Sequence, residues 1–398
     1  MRRFYCFLVF LVVGLVCHAT AAGGALDLKA ARDAAIAKIE GPQVPNRQGY
    51  DGLTLEQMMQ RFRVPGASVA VIRDFEIDWT KGYGVADVST GTRVTPETLF
   101  QAASISKPVT AVAAAILHQR GTIDLDADVN TYLKSWKVPV NEFTRQRPVT
   151  LRALLSHTSG TGDGFGFPGY PPGAPRPTLT EILGGKPPSN VGTVAWERPP
   201  FTAQKYSGGG TVIVQLALSE ATGKAFPDLM RELVLGPAGM KNSAFEQPLS
   251  EERDRNAARA HSGRGAAMGP KWHVYPELAA AGLWTTPADL ATLGIEIQKA
   301  LLGRSSVLSR AAALELVSPV GTGQFAVGFA VERRGEGWYF MHGGSNWGFQ
   351  CNLVLHRLKG YGFAIMTNSD SGGALIRELE ARIAAAYNWD SLDKPVPR

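Results

Sequence analysis

Ser104-Ile105-Ser106-Lys107-Pro108 stands at the start of an apolar helical pattern, and its reading decides the rest of the chain. Val109, Val112, Ala113, Ile116 and Leu117 follow at i, i+3, i+4, i+7 and i+8, the spacing of one helix face, and Gly121 ends the run. Proline is tolerated near a helix start, where its missing N–H costs least, so Pro108 puts Ser104 at the N-terminus of this helix. Residues three apart share a helix face, which sets the Ser104 hydroxyl beside the Lys107 amine. Serine is a weak nucleophile until a neighbouring base takes its proton. Lysine becomes such a base when burial and nearby charge lower its pKa from about 10.4 toward neutrality. The exposed N–H groups and dipole of a helix start also favour developing negative charge.

Two further clusters extend this chemistry. Tyr206-Ser207-Gly208-Gly209-Gly210 places a phenol before a glycine run, with a helix expected from about Thr211. His342-Gly343-Gly344-Ser345 ends a strand running through Trp338. Glycines let backbone approach a ligand closely, so the N–H groups there can point at a substrate carbonyl oxygen. A nucleophile with its base, a phenol and a strand edge thus occur in that order along the chain.

The surrounding pattern reads as α+β. A helix is expected over Leu28–Ile39, then strands over Ala67–Ile72 and Asp78–Val88, the second closed by the turn Ser89-Thr90-Gly91. From 122 to 290 helices and irregular loops dominate, with a stretch rich in Gly and Pro at 160–200. Thr286-Pro287-Ala288-Asp289 reads as an N-cap, a first-turn proline and an acid, opening a helix through about Ala300. Strands return over Phe325–Val331, Trp338–Met341, Gln350–Leu355 and Tyr361–Met366, and Leu375, Leu379 and Ile383 mark a closing helix. Sequence-adjacent hairpins predict an antiparallel sheet flanked by N- and C-terminal helices. The expected division is a leader over 1–22, a sheet domain from 23–120 and 291–398, and a mostly helical inserted domain over 121–290.

Composition narrows the function classes. The 398 residues are 44% hydrophobic and 19% charged, an ordinary enzyme balance rather than a disordered one. A formal charge of +6, without basic clusters interleaved with aromatics, gives no reason to expect a nucleic-acid partner. Arg2 and Arg3, the apolar run Phe7–Val16 and Ala19-Thr20-Ala21 have the layout of a secretory leader cut near Ala21 or Ala22. The run is shorter than the roughly 20 residues a spanning helix needs, and no later stretch resembles a span. A periplasmic or secreted protein is therefore expected. Cys17 follows bulky Val16, which disfavours a lipoprotein site. Of the 3 cysteines, only Cys351 survives cleavage, so no internal disulfide is expected and Cys351 reads as buried filler. No Gly-x-Ser-x-Gly and no His-Glu-x-x-His run occurs, which removes the local signatures of an α/β-hydrolase and a zinc peptidase. No cofactor or metal is expected.

With these residues in place, the chain resembles the penicillin-recognising serine hydrolases: class C β-lactamases, D-alanyl-D-alanine carboxypeptidases, D-aminopeptidases and family VIII esterases. The resemblance spans about 50–388. It rests on Gly66–Val69, Phe100–Lys107, Leu154-Leu155-Ser156-His157-Thr158-Ser159-Gly160, Ala281-Gly282-Leu283-Trp284-Thr285-Thr286 and His342-Gly343-Gly344. It implies a β-lactamase/transpeptidase-like fold with Ser104 as the acylated nucleophile and Lys107 as its base or proton shuttle. It further implies that Tyr206 protonates the leaving group and that the N–H groups of Ser104 and Ser345 form an oxyanion hole beside Gly343 and Gly344. His157 matches a family position and reads as loop-fixing. Two departures bear on substrate. Gly208 replaces the asparagine that usually contacts the acyl-amide of β-lactams. His342 replaces a lysine, so a group with an ordinary pKa near 6.5 stands where a permanent cation would attract carboxylates. Both favour an ester, small amide or peptide substrate, ester first, over strong β-lactam turnover. A D-amino-acid peptidase, a β-lactamase and a catalytically inactive binding protein are the alternatives. Pocket walls are expected from 160–200 and 261–280.

Overall fold

The computed structural model describes residues 27–43, 49–162, 166–335 and 337–389. The expected leader over 1–22 and Cys17 lie outside the described residues.

The architecture is α+β. Seven strands form one antiparallel sheet: β1 (Gly66–Arg73), β2 (Glu76–Asp87), β3 (Thr92–Arg93), β6 (Ala330–Arg334), β7 (Gly337–Asn346), β8 (Phe349–His356) and β9 (Gly362–Thr367), in the order β3-β2-β1-β9-β8-β7-β6. A separate pair joins β4 (Phe100–Gln101) to β5 (Trp284–Thr285). The long-range event is the pairing of β1 with β9, with Ala67 opposite Thr367 and Ile72 opposite Gly362. It closes the two ends of the chain into one sheet.

Side chains alternate across a strand, so β1 feeds two cores. Ala67, Val69 and Val71 pack with Met58, Leu375, Leu379 and Ile383, under the helices Leu55–Phe62 and Gly372–Tyr387. Ala70 and Ile72 face the other way, into a core with Val112, Leu290 and Leu293. That second face is covered by the helix Pro287–Leu301, whose N-cap Thr286 accepts a hydrogen bond from the Asp289 N–H. The C-terminal helix is tied to the N-terminal segment by Arg382, whose guanidinium donates to the carbonyls of Ile39, Gly41, Tyr50 and Leu53.

The helix Ser106–Gln119 departs from a surface helix. Every residue from Ser106 to Leu117 is buried. Its alanines (Ala111, Ala113, Ala114, Ala115) fill the faces that polar residues would occupy at a surface, so it runs between the sheet layer and the helices that follow.

Three local expectations change. The strand expected over Phe325–Val331 starts only at Ala330. Gly328 has φ +93°, and a Cβ there would stand 2.4 Å from the Ala111 Cβ, so the chain turns against the central helix before it can extend. The helix expected from Thr211 begins at Gly208, because the Ser207 hydroxyl caps it by accepting from the Gly210 N–H at 2.7 Å. The 160–200 stretch contains a helix, Leu179–Gly184, with a capping box between Thr178 and Glu181.

Candidate active site

Ser104 lies in a 3-10 turn, Ala103–Ile105, immediately before the central helix. Ala103 has φ +49°, a left-handed conformation that costs an L-residue roughly 1–3 kcal/mol and persists only where the surroundings over-determine it. They do. The Ala102 N–H donates to Leu283 O at 2.8 Å. The Ser106 hydroxyl donates to Ala103 O at 2.7 Å and accepts from the Leu283 N–H at 3.0 Å. The Cys351 thiol, fully buried and pushed far up in pKa by that burial, donates to Ala102 O at 3.0 Å. Clamped this way, the turn aims Ser104 away from the core, and Ser104 is only partly buried.

The Lys107 side-chain nitrogen, Nζ, is 3.1 Å from Ser104 Oγ. It also donates to Ala280 O at 2.9 Å and stands 5.1 Å from the centre of the Tyr206 ring. No carboxylate lies within ion-pair distance of it among the described residues, and it is buried. The nucleophile candidate is therefore the one side-chain hydroxyl bonded to this amine.

His342 completes the ring of groups. Its ring centre is 6.1 Å from that of Tyr206 and 5.9 Å from that of Phe325. Nδ1 is 2.6 Å from Gly343 O, so Nδ1 carries the proton, and Nε2 is a buried lone pair without a hydrogen-bond partner among the described residues. Burial first, then the charge on Lys107, push its pKa down to about 3. This corrects the expectation of an imidazole titrating near 6.5: burial and the neighbouring charge leave His342 neutral at neutral pH.

The strand carrying His342 also presents its edge to Ser104. β6 covers β7 only from Gly337 to Met341, so His342 to Asn346 has no strand on that side. A Cβ on Gly344 would meet Cys351 Sγ at 2.7 Å, Ala102 O at 2.8 Å and Ala103 Cβ at 2.9 Å. Only glycine lets the strand lie this close to the nucleophile turn. Gly343 and Ser345 are exposed on either side of it, with Ser345 Oγ accepting from Gln350 Nε2 at 3.2 Å.

Tyr206 is held by His157 from three directions. The N–H of Lys205 donates to His157 O at 2.8 Å, and the N–H of Ser207 donates to His157 Nδ1 at 3.2 Å. The two rings lie 4.2 Å apart, with Phe325 edge-on to His157 at 4.7 Å. His157 itself has φ +58° and is held neutral, its pKa well below the imidazole range through burial and then through Lys107 and His342. His157→Phe keeps a ring but removes the Nδ1 that accepts from the Ser207 N–H. The expected result is a fall in kcat about tenfold larger for an amide than for a nitrophenyl ester, at little-changed KM, because proton donation matters most for poor leaving groups. An equal loss for both substrates would show that His157 supports only the fold.

The structure thus brings Ser104, Lys107, Tyr206, His342, Gly343, Gly344 and Ser345 to one place. Sequence reading missed three participants. Phe325 lies in a stretch of strand-like composition that does not form a strand. The Ala280 carbonyl carries no side-chain signal. Phe167, whose ring meets the backbone of Gly208, was hidden in the glycine-rich loop. Behind the Ala280 turn, Glu277 is fully buried, its carboxyl oxygens have no hydrogen-bond partner among the described residues, and burial pushes its pKa up to about 7. No group of His, Cys, Asp and Glu suited to a metal occurs among the described residues, and no described helix is long and apolar enough to cross a membrane.

Comparison with known proteins follows the same lines. The sequence model of the family described as Beta-lactamase matches residues 53–388. The unguisins hydrolase of Aspergillus campestris is 31% identical over 219 residues, 52% of this chain and 38% of that protein. Esterase EstB of Burkholderia gladioli is 29% identical over 226 residues, 52% of this chain and 53% of that protein. The matches thus span from little over a third to about half of these relatives. The D-amino acid amidase of Ochrobactrum anthropi superposes with a TM-score of 0.67 at 22% identity, covering 90% of this chain and 98% of that one, which shows a shared fold.

Proposed function

The chain belongs to the Beta-lactamase family of serine hydrolases, and from that premise we propose that it cleaves neutral carboxylic esters through an acyl-enzyme on Ser104. The observation that carries this reading is the 3.1 Å contact between Ser104 Oγ and Lys107 Nζ inside a ring of Tyr206, His342 and Phe325. In the first step Ser104 Oγ attacks the substrate carbonyl carbon and its proton passes to Lys107 Nζ. The oxyanion is received by the N–H groups of Ser104 and Ser345. Tyr206 delivers a proton to the leaving oxygen, the C–O bond breaks, and the acyl group remains on Ser104. Lys107 passes its proton to the Tyr206 phenolate; water then attacks the acyl carbon, losing a proton to this amine–phenol pair, and that proton goes to Ser104 Oγ as the Oγ–acyl bond breaks and the acid leaves.

Two observations favour esters over substrates with a free carboxylate. His342 is uncharged, so the third motif offers no cation. At Gly208 no side-chain amide is available to read an acyl-amide group. The resemblance to an esterase supports the same choice, while the fold shared with a D-amino acid amidase keeps small amides and D-peptides as the second reading. We also place the protein outside the cytoplasm, on the strength of the leader-like N-terminus. N-terminal sequencing of the exported chain is expected to begin at or just after Ala22.

A side-by-side assay tests the substrate reading. The chain is given nitrophenyl butyrate, a chromogenic cephalosporin and a D-alanyl dipeptide, and kcat/KM is expected to rank the ester first. A cephalosporin or dipeptide in first place would replace the ester reading. No turnover of any of them, with no fluorophosphonate labelling of Ser104, would make the chain a binding protein.

A further inference from the structure

Ser345 sits between two anchors. On one side Gly344 lies against the nucleophile turn, where a Cβ would meet Ala102 O and Ala103 Cβ within 2.9 Å. On the other side Asn346 is 7% exposed, and its Nδ2 donates to Gln101 Oε1 at 2.8 Å and to Ala281 O at 3.1 Å. Both partners belong to segments that carry the site. Gln101 leads into Ala102-Ala103-Ser104, and its own Nε2 donates to His273 O at 2.8 Å, which keeps its Oε1 free to face Asn346. Ala281 follows Ala280, whose carbonyl accepts from Lys107 Nζ at 2.9 Å. One side-chain amide thus joins the strand bearing Ser345, the lead-in to the nucleophile and the turn that holds the base. The sheet alone holds this stretch from one side: β6 stops pairing with β7 at Met341, while Ser345 and Asn346 pair with Gln350 and Phe349 of β8.

We infer that Asn346 is a positioning residue, which fixes the Ser345 N–H relative to the Ser104 N–H so that both reach one oxyanion. The inference deepens the serine-hydrolase reading above and rests on it. Oxyanion donors act when they stand about 2.7–3.1 Å from where charge develops, and losing one costs about 10²–10³ in kcat. Misplacing a reacting group by about 1 Å costs about 10². The oxyanion exists in the transition state and not in the ground state, so a displaced donor lowers kcat and leaves KM alone. An amide with a purely structural task would change the melting temperature without this split.

The test compares the parent chain with Asn346→Asp and Gln101→Met on nitrophenyl butyrate. Aspartate has the shape of asparagine but donates at most one of the two bonds, and only when protonated. Asn346→Asp is expected to lower kcat by about 10–100-fold with KM within twofold. Gln101→Met removes one acceptor and gives a smaller loss of the same kind. Two inhibitors separate positioning from packing. Benzeneboronic acid forms a tetrahedral adduct on an attacked serine, and its affinity should fall in step with kcat. Butyramide is planar and neutral like the ground state, and its affinity should stay within twofold. A folded Asn346→Asp with the parent's kcat, or equal losses for both inhibitors, would overturn the role. If Asn346→Asp does not fold, Gln101→Met decides: selective loss of boronate affinity supports the role, and unchanged affinity overturns it. A parent with no turnover and no fluorophosphonate labelling would end the hydrolase reading and this role together. An active parent with unaffected variants would end this role alone.

Discussion

Ser104→Ala lowers kcat for nitrophenyl butyrate by at least about 10³-fold, the scale on which removing a catalytic nucleophile is felt. The loss is expected without loss of fold. Ser104 is partly exposed, and its hydroxyl has one side-chain partner, Lys107, which keeps its bond to Ala280 O when the hydroxyl is gone. The clamps on the strained turn come from Ala102, Ser106, Leu283 and Cys351, and all survive the substitution. The variant should melt with the parent and lose fluorophosphonate labelling. A residual rate above about one percent of the parent would remove Ser104 from the nucleophile role.

Lys107→Met is expected to lower kcat/KM by about 10²–10⁴-fold, the range of a lost general base. Methionine keeps much of the buried volume but cannot accept the proton. Lys107→Arg separates proton transfer from charge, because a guanidinium stays protonated at any assay pH. If the amine acts as a base, arginine does not restore activity; if only its charge matters, arginine restores part of it. A second readout follows from His342. Part of what depresses its pKa is the Lys107 charge, so the methionine variant should raise it. The rise stops short of the ordinary imidazole value, because burial is the larger cause and remains. Imidazole chemical shifts followed across acid pH measure this directly. An unmoved His342 would mean that the two groups are not electrostatically coupled.

Much of the fold is legible along the chain because its signals are local. The apolar spacing from Val109 to Leu117, the cap at Thr286 and the hairpins of β7, β8 and β9 each depend on neighbours a few residues away. The misreadings have a common origin. The stretch Phe325–Phe329 has strand-like composition, yet it is bent against the central helix, with Gly328 N–H donating to Leu155 O at 3.0 Å. The helix Leu179–Gly184 is too short to show a period, although the Thr178 and Glu181 pair was a readable cap. The glycine run after Tyr206 suggests a loop by composition, and the Ser207 cap makes it the first turn of a helix instead.

By itself the sequence determined that a hydroxyl and an amine three residues apart meet at the start of a helix. Helical geometry repeats every 3.6 residues whatever surrounds it. It also identified Tyr206 and His342-Gly343-Gly344 as chemically capable partners. Only the tertiary structure decided what those partners are. It brought β1 onto β9, seated Gly344 against Ala103, stacked His157 on Tyr206 and left His342 uncharged. Proton affinity and close contact depend on which groups fill the space around an atom, and in this chain those groups come from segments far apart along the backbone.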